Sequence, residues 1–283
     1  MAGIEPQPRT GTVGHLISAL ENEERLGRRG KLLAAMDYDG TLVPFALRPE
    51  QAVPGLRVLE VLNRLVSRSD VVVAIISGRT LVELEEFLPL QPIWLSALHG
   101  AVVSPPGKKP EWLIDPGCIE LLQDRIKHIS HRLNDLPDGF RIEDKGLSLA
   151  IHFRGVPREQ VREGLERLLP AIDSLIDREI FELLPGSEVV EIRPLNVNKG
   201  KAVSFIADSN PDCLPFYLGD DITDEDAFRT LGENGFTIRV SSEIRPTAAR
   251  WQLPIPDHAL DFLDRLPGVM DRINASRSRG GRR

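Results

Sequence analysis

Asp37 and Asp39 stand one residue apart at the end of the apolar run Leu32-Leu33-Ala34-Ala35-Met36 and are followed by Gly40-Thr41-Leu42. In an extended segment, side chains at i and i+2 point the same way, so both carboxylates can aim at one spot beyond the end of a strand. Two carboxylates held together repel each other unless a cation or a shared proton intervenes, so the pair implies a bound metal or a raised pKa. An apolar run without polar alternation fits a parallel strand buried on both faces. Ligands of open α/β sheets bind at the carboxyl edge of such strands.

Two further strands end in chemistry. Val71 to Ile76 stops at Ser77-Gly78-Arg79, and Pro215 to Leu218 stops at Gly219-Asp220-Asp221; Lys199, in Asn198-Lys199-Gly200, precedes the helix before the second of these. Parallel strands present their carboxyl ends on one edge, so groups far apart in sequence can converge there. Acids, a hydroxyl and an ammonium are what Mg²⁺-assisted phosphoryl transfer requires, because Mg²⁺ takes hard oxygen ligands and the transferred group carries negative charge.

The intervening pattern predicts how these groups are positioned. Strands alternate with helical stretches from Leu32 to Ala97, which indicates βαβ units. A cluster of proline, glycine and lysine at 103–110 marks a boundary. Beyond it come an amphipathic helix, Ile119 to Leu133, and a hairpin, Phe140 to Glu143 with Leu147 to Phe153. A second helix covers Pro157 to Leu169, and two more strands flank Pro185-Gly186-Ser187. Leu147, Leu149, Ile151 and Phe153 alternate with Ser148, Ala150, His152 and Arg154, which predicts an antiparallel sheet packed on one face only. The βαβ pattern resumes after Lys199. The expected organisation is a helical extension over 1–30, a discontinuous α/β core over 31–105 and 195–270, an inserted α+β lobe over 106–194, and a loose basic tail over 271–283.

Bulk properties restrict the function. The 283 residues carry a formal net charge of -7, which argues against a general nucleic-acid binder. No apolar stretch approaches a membrane span. The amino terminus lacks the order of a signal peptide, and Cys118 and Cys213 lack metal-ligand spacing, so a cytoplasmic protein is expected; a monomer is the accompanying expectation, which no residue pattern carries.

Asp37-Tyr38-Asp39-Gly40-Thr41-Leu42, Ser77-Gly78-Arg79, Asn198-Lys199-Gly200 and Gly219-Asp220-Asp221 together resemble the four motifs of the haloacid-dehalogenase (HAD) superfamily of phosphatases. The resemblance implies a HAD-like Rossmannoid core with a C2-type cap. It also implies Asp37 as nucleophile, Asp39 as proton carrier, and Ser77 and Lys199 as phosphoryl holders. Mg²⁺ would be bound by Asp37, Asp220 and the Asp39 carbonyl, supported by Asp221 and Asp224. Thr41, Gly78 and Arg79 fall on the substrate side; Arg79 reads equally as a phosphate-side cation or as a salt bridge at a helix start.

A narrower resemblance is carried by Glu191-Ile192-Arg193-Pro194, eight residues ahead of Lys199, and by Gly219-Asp220-Asp221-Ile222-Thr223-Asp224-Glu225-Asp226-Ala227-Phe228. With the first motif, these are similar to trehalose-6-phosphate phosphatases. That similarity implies a sugar-phosphate substrate recognised by Glu143, Lys145, Arg154 and Glu191, with the inserted lobe closing over it, in a chain without room for a fused synthase. After His99-Gly100 the family often carries an acid, whereas Ala101, Val102 and Val103 follow here. Phosphatases of sucrose 6-phosphate, glucosylglycerol phosphate or glucosyl-phosphoglycerate share the core motifs and stay open as alternatives, as does a non-catalytic phosphosugar sensor.

Overall fold

In the computed structural model, which describes residues 7–133, 135–186 and 188–280, the strand Leu32–Met36 is buried along its whole length. It lies between Val71–Ile76 and Leu214–Gly219, parallel to both, with Ala34 opposite Val73 on one side and Phe216 on the other. Apolar side chains on both faces explain the absence of polar alternation. Among the described residues the sheet has nine strands. From edge to edge these are Arg9–Thr10, Trp251–Leu253, Phe236–Val240, Leu214–Gly219, Leu32–Met36, Val71–Ile76, Trp94–Ala97, Val102–Ser104 and Glu111–Trp112. Pairing is parallel from Arg9–Thr10 through Trp94–Ala97 and turns antiparallel where Trp94–Ala97 meets Val102–Ser104.

The chain divides into two compact units, one running to Glu111 and resuming at Lys199, the other spanning Trp112–Asn198. In the first, the helices Leu56–Val66, Lys199–Ser209 and Pro256–Gly280 cover the sheet. The amino-terminal stretch folds as two helices, Val13–Glu21 and Glu24–Arg29, and the first packs on Pro256–Gly280.

That last helix departs from expectation. The basic composition predicts a loose tail from residue 271, yet the helix continues to Gly280. Leu266, Val269, Met270 and Ile273 are buried at the i, i+3, i+4, i+7 spacing of one helical face, a signal that the arginines obscure. Asp271 accepts from Arg68 at 2.9 Å, Asn274 donates to Asp70 at 2.6 Å, and Arg277 donates to the Gly27 and Arg28 carbonyls at the end of a neighbouring helix. Arg282 and Arg283 lie outside the described residues, as does Ser187 of the predicted turn.

The second unit is a four-stranded antiparallel sheet in the order Arg141–Asp144, Leu149–His152, Val189–Pro194, Phe181–Gly186, accompanied by the helices Ile119–Arg132 and Arg158–Leu175. Leu149, Ile151, Val190 and Ile192 share one buried face. The opposite face is not open as the alternation predicts: Ser148 and Ala150 are buried too. Ala150 pairs with Glu143 on one side and Glu191 on the other, so a small residue sits beneath two longer ones. Among the described residues no helix is long and apolar enough to cross a membrane.

Candidate active site

The carboxyl ends of Leu32–Met36, Val71–Ile76 and Leu214–Gly219 deliver Asp37, Ser77 and Asp220 to one edge of the sheet. The Asp37 amide donates to the Leu218 carbonyl at 2.8 Å, which fixes the nucleophile candidate against the neighbouring strand. Gly40 takes φ 82°, where a side chain is strained, and a Cβ there would lie 2.3 Å from Asp220 Oδ2. The glycine therefore lets the chain turn directly beside a carboxylate. Thr41 Oγ1 donates to Asp220 Oδ1 at 3.1 Å.

Lys199, at the start of its helix and 3% exposed, donates from Nζ to Asp37 Oδ1 at 2.6 Å and to Asp224 Oδ1 at 2.8 Å. Asp224 is fully buried and is an acceptor on every side. Tyr217 Oη donates to its Oδ1 at 2.7 Å, and the Asp220 and Asp221 amides donate to its Oδ2 at 3.0 Å each. Asp224 thus holds both the lysine and the backbone that carries Asp220. Tyr217 is a member of the site that none of the motifs contains; its place two residues before Gly219, on a strand running to the same edge of the sheet, is the signal for it.

Asp37, Asp220 and Asp224 each bring a carboxylate oxygen within 4.8 Å of the others, and among the described residues they form one group able to share a cation. Burial pushes Asp37 up to about 7, with Asp224 and Asp39 adding repulsion and Lys199 opposing. Burial and then the Asp37 and Asp224 charges raise Asp220 well above the usual carboxylate range. Lys199 lies above its ordinary value: burial alone would lower it, and the Asp224 and Asp37 charges more than offset that loss. Crowded, desolvated oxygens with one ammonium among them fit a hard divalent cation such as Mg²⁺. Asp221 lies outside this group, and its carboxylate accepts from the Ile222 amide at 2.7 Å, capping the short turn Ile222–Asp224.

Ser77 is buried, and its Oγ accepts from the Arg79 amide at 3.2 Å. Gly78 lies under the His99 ring, where a Cβ would come within 2.4 Å of Nε2. His99 is itself at φ 55°, with its amide on the Ser77 carbonyl at 2.9 Å, while the Leu98 amide donates to the Arg79 carbonyl at 2.8 Å. The segment Leu98–Gly100 is therefore a buttress for Ser77-Gly78-Arg79. Arg79 itself turns to Asp39, donating to both of its carboxylate oxygens at 2.8 Å.

The remaining predicted residues lie in the second unit. Lys145 Nζ donates to Glu191 Oε1 at 3.4 Å, and Ser148 Oγ donates to the same oxygen at 2.6 Å. Glu143 Oε2 lies 2.7 Å from His152 Nε2. Burial alone would raise Glu143, but the His152 hydrogen bond and the Lys145 and His152 charges outweigh it and leave the carboxyl lowered. Arg154 pairs with Glu188 at 2.9 Å. Ser148 and His152 are neighbours that periodicity alone assigned to a solvent face. Their signal is cross-strand pairing, since Glu143 and Glu191 both stand opposite Ala150.

A parallel sheet whose strand ends gather Asp37, Asp39, Ser77, Asp220 and a helix-borne Lys199 defines the HAD-like class. The C-terminal domain of Candida albicans trehalose-6-phosphate phosphatase superposes with a TM-score of 0.74 at 25% identity, over 93% of this chain and 99% of that one. Residues 35–257 match the trehalose-phosphatase family, and the chain belongs to that family. Among curated relatives, the Mycobacterium marinum trehalose-phosphate phosphatase is 32% identical over 247 residues, which is 84% of this chain and 62% of the relative. The Dictyostelium discoideum alpha,alpha-trehalose-phosphate synthase [UDP-forming] B is 30% identical over 233 residues, 82% of this chain and 30% of the relative. The chain thus spans less than two thirds of either.

Proposed function

We propose that this chain hydrolyses trehalose 6-phosphate to trehalose and inorganic phosphate through an aspartyl-phosphate. The observation that carries the reading is the Lys199 ammonium shared between Asp37 and Asp224 beside Asp220, inside the stretch that matches the family. An oxygen of Asp37 attacks phosphorus as the bond from phosphorus to the sugar oxygen breaks, and Asp39 gives that oxygen its proton. Asp39 then takes a proton from water, which attacks phosphorus and frees Asp37. Ser77 and Lys199 hold the phosphoryl oxygens; Thr41 orients Asp220, and Gly78 keeps the Ser77 loop in close approach.

Asp37, Asp220 and the Asp39 carbonyl would hold Mg²⁺, with Asp221 and Asp224 supporting them from behind. When bound, the cation neutralises charge on the phosphoryl oxygens. Glu143, Lys145, Arg154 and Glu191 are assigned to the sugar, since disaccharide hydroxyls accept from ammonium and guanidinium groups and donate to carboxylates. Phosphate release from a panel of sugar phosphates, with Mg²⁺ and with chelator, tests the proposal. Trehalose 6-phosphate should give the highest kcat/KM, and the chelator should abolish turnover. A higher kcat/KM on sucrose 6-phosphate or glucosylglycerol phosphate would overturn the substrate assignment.

A further inference from the structure

Arg79 makes a more specific arrangement than a phosphate-side cation requires. Its Nε donates to Asp39 Oδ2 and its Nη2 to Asp39 Oδ1, both at 2.8 Å, so the guanidinium grips the carboxylate as a fork. Nη2 also donates to the Pro49 carbonyl at 2.8 Å, and Nη1 donates to Glu83 Oε1 at 3.2 Å. The guanidinium carbon lies 5.2 Å from the Tyr38 ring centroid and 5.1 Å from that of Phe87, and those two rings are stacked on each other at 6.0 Å. Glu83 is itself fixed, since its Oε2 accepts from the Thr80 amide at 2.9 Å and hydroxyl at 2.6 Å. Arg79 is 5% exposed, while the Asp39 side chain is 28% exposed. The arginine is thus the rigid partner and the aspartate the adjustable one.

We propose that Arg79 is a positioning residue that sets the direction of the Asp39 carboxyl group, and so acts on proton transfer rather than on holding the phosphoryl group. The terminal torsion of an aspartate is broad, so an unheld Asp39 would sample many carboxyl orientations just after a strand end. A bidentate guanidinium fixes the plane of the carboxyl group as well as its position, which an ammonium cannot do; each oxygen keeps a second lone pair outside the fork, and the proton passed to the leaving sugar oxygen is carried there. Small displacements of a reacting group cost rate steeply.

The inference rests on the roles proposed for Asp37 and Asp39, and the test separates the two. Single-turnover rates are measured with enzyme in excess for trehalose 6-phosphate, whose alkoxide leaving group needs a proton, and for 2,4-dinitrophenyl phosphate, whose phenolate leaves without one. In both, a bond from Asp37 to phosphorus forms and the ester bond breaks; only the need for the Asp39 proton differs. Arg79→Met should slow trehalose release by about 10²-fold, the scale of general acid catalysis, and leave dinitrophenolate release within about twofold. Arg79→Met added to Asp39→Asn should cost nothing further on trehalose 6-phosphate, because groups acting through one another are not additive. Arg79→Lys, which keeps the charge without the fork, carries the same measurements if the methionine variant does not fold, and should lose nearly as much. Equal losses on the two esters, multiplicative losses in the double variant, or trehalose release within twofold of wild type would each overturn the inference. Turnover retained in Asp37→Asn would instead remove the mechanism beneath it.

Discussion

Lys199 Nζ donates to Asp37 Oδ1 at 2.6 Å although neither side chain is more than 6% exposed. A pair so deeply buried is held by mutual need, because removing one member strands the other as an uncompensated charge, at a cost of about 3–5 kcal/mol. Lys199→Met should therefore lower the melting temperature of the metal-free protein as well as abolish turnover. Thermal melts beside phosphate release check this; an inactive variant with an unchanged melting temperature would show that Lys199 serves the substrate alone.

The raised carboxyl groups make a prediction about pH and metal together. Asp37 is lifted from 3.8 to about 7, chiefly by burial. A carboxyl whose folded pKa lies above its unfolded value contributes stability below the unfolded pKa and loses it as pH rises through the folded one. The metal-free protein should accordingly melt at progressively lower temperature from pH 5 to pH 8, with Asp220, raised in the same direction, adding to the trend. Added Mg²⁺ should remove most of that slope, since the cation replaces the proton. Melting curves at both pH values, with Mg²⁺ and with chelator, decide it.

The contact between Gly78 and His99 can be tested by exchanging space. A Cβ at residue 78 would lie 2.4 Å from Nε2 and 2.5 Å from Cε1 of the His99 ring. Gly78→Ala should cost about 1–3 kcal/mol, the usual price of overpacking, and lower kcat by displacing Ser77. Adding His99→Ala should return part of both losses. A double variant worse than Gly78→Ala alone would mean that His99 supports the loop in a way that no extra room can replace.

Selectivity is predicted to separate the two units. Glu191, 5% exposed, accepts from Ser148 and Lys145. Glu191→Ala should reduce kcat/KM for trehalose 6-phosphate by about 10²-fold or more while changing that for a small aryl phosphate by less than about threefold, because the loss is confined to binding the sugar. Equal losses on both substrates would remove Glu191 from sugar recognition.

Legibility in the sequence followed the kind of signal. Asp37, Ser77 and Asp220 were readable because a strand that ends in a reactive group declares both its element and its direction, and the parallel sheet then brings the ends together. Arg79 is legible as a cation but not as the partner of Asp39, since its contacts with Asp39, Tyr38 and Phe87 are tertiary and no local pattern encodes them. Alternation places Ser148 and Ala150 on an open face because it reports period and not what lies across a strand. The last helix was obscured by charge: arginines at 277 and 279 suggested a solvated tail, while Val269, Met270 and Ile273 carried the weaker apolar stripe that places it.

The position of Leu32–Met36 at the centre of the sheet has a consequence for how the chain comes into being. One neighbour, Val71–Ile76, follows closely, but the other, Leu214–Gly219, lies beyond the whole inserted unit. During vectorial synthesis the strand that carries Asp37 leaves the ribosome with one flank unpaired and must wait until the whole inserted unit has been made. The four-stranded antiparallel sheet within Trp112–Asn198 pairs only with itself, so it emerges in the meantime and can condense first. Lys199, Asp220 and Asp224 arrive later still, so the last groups to be translated into the site are the ones gathered around the Asp37 carboxylate.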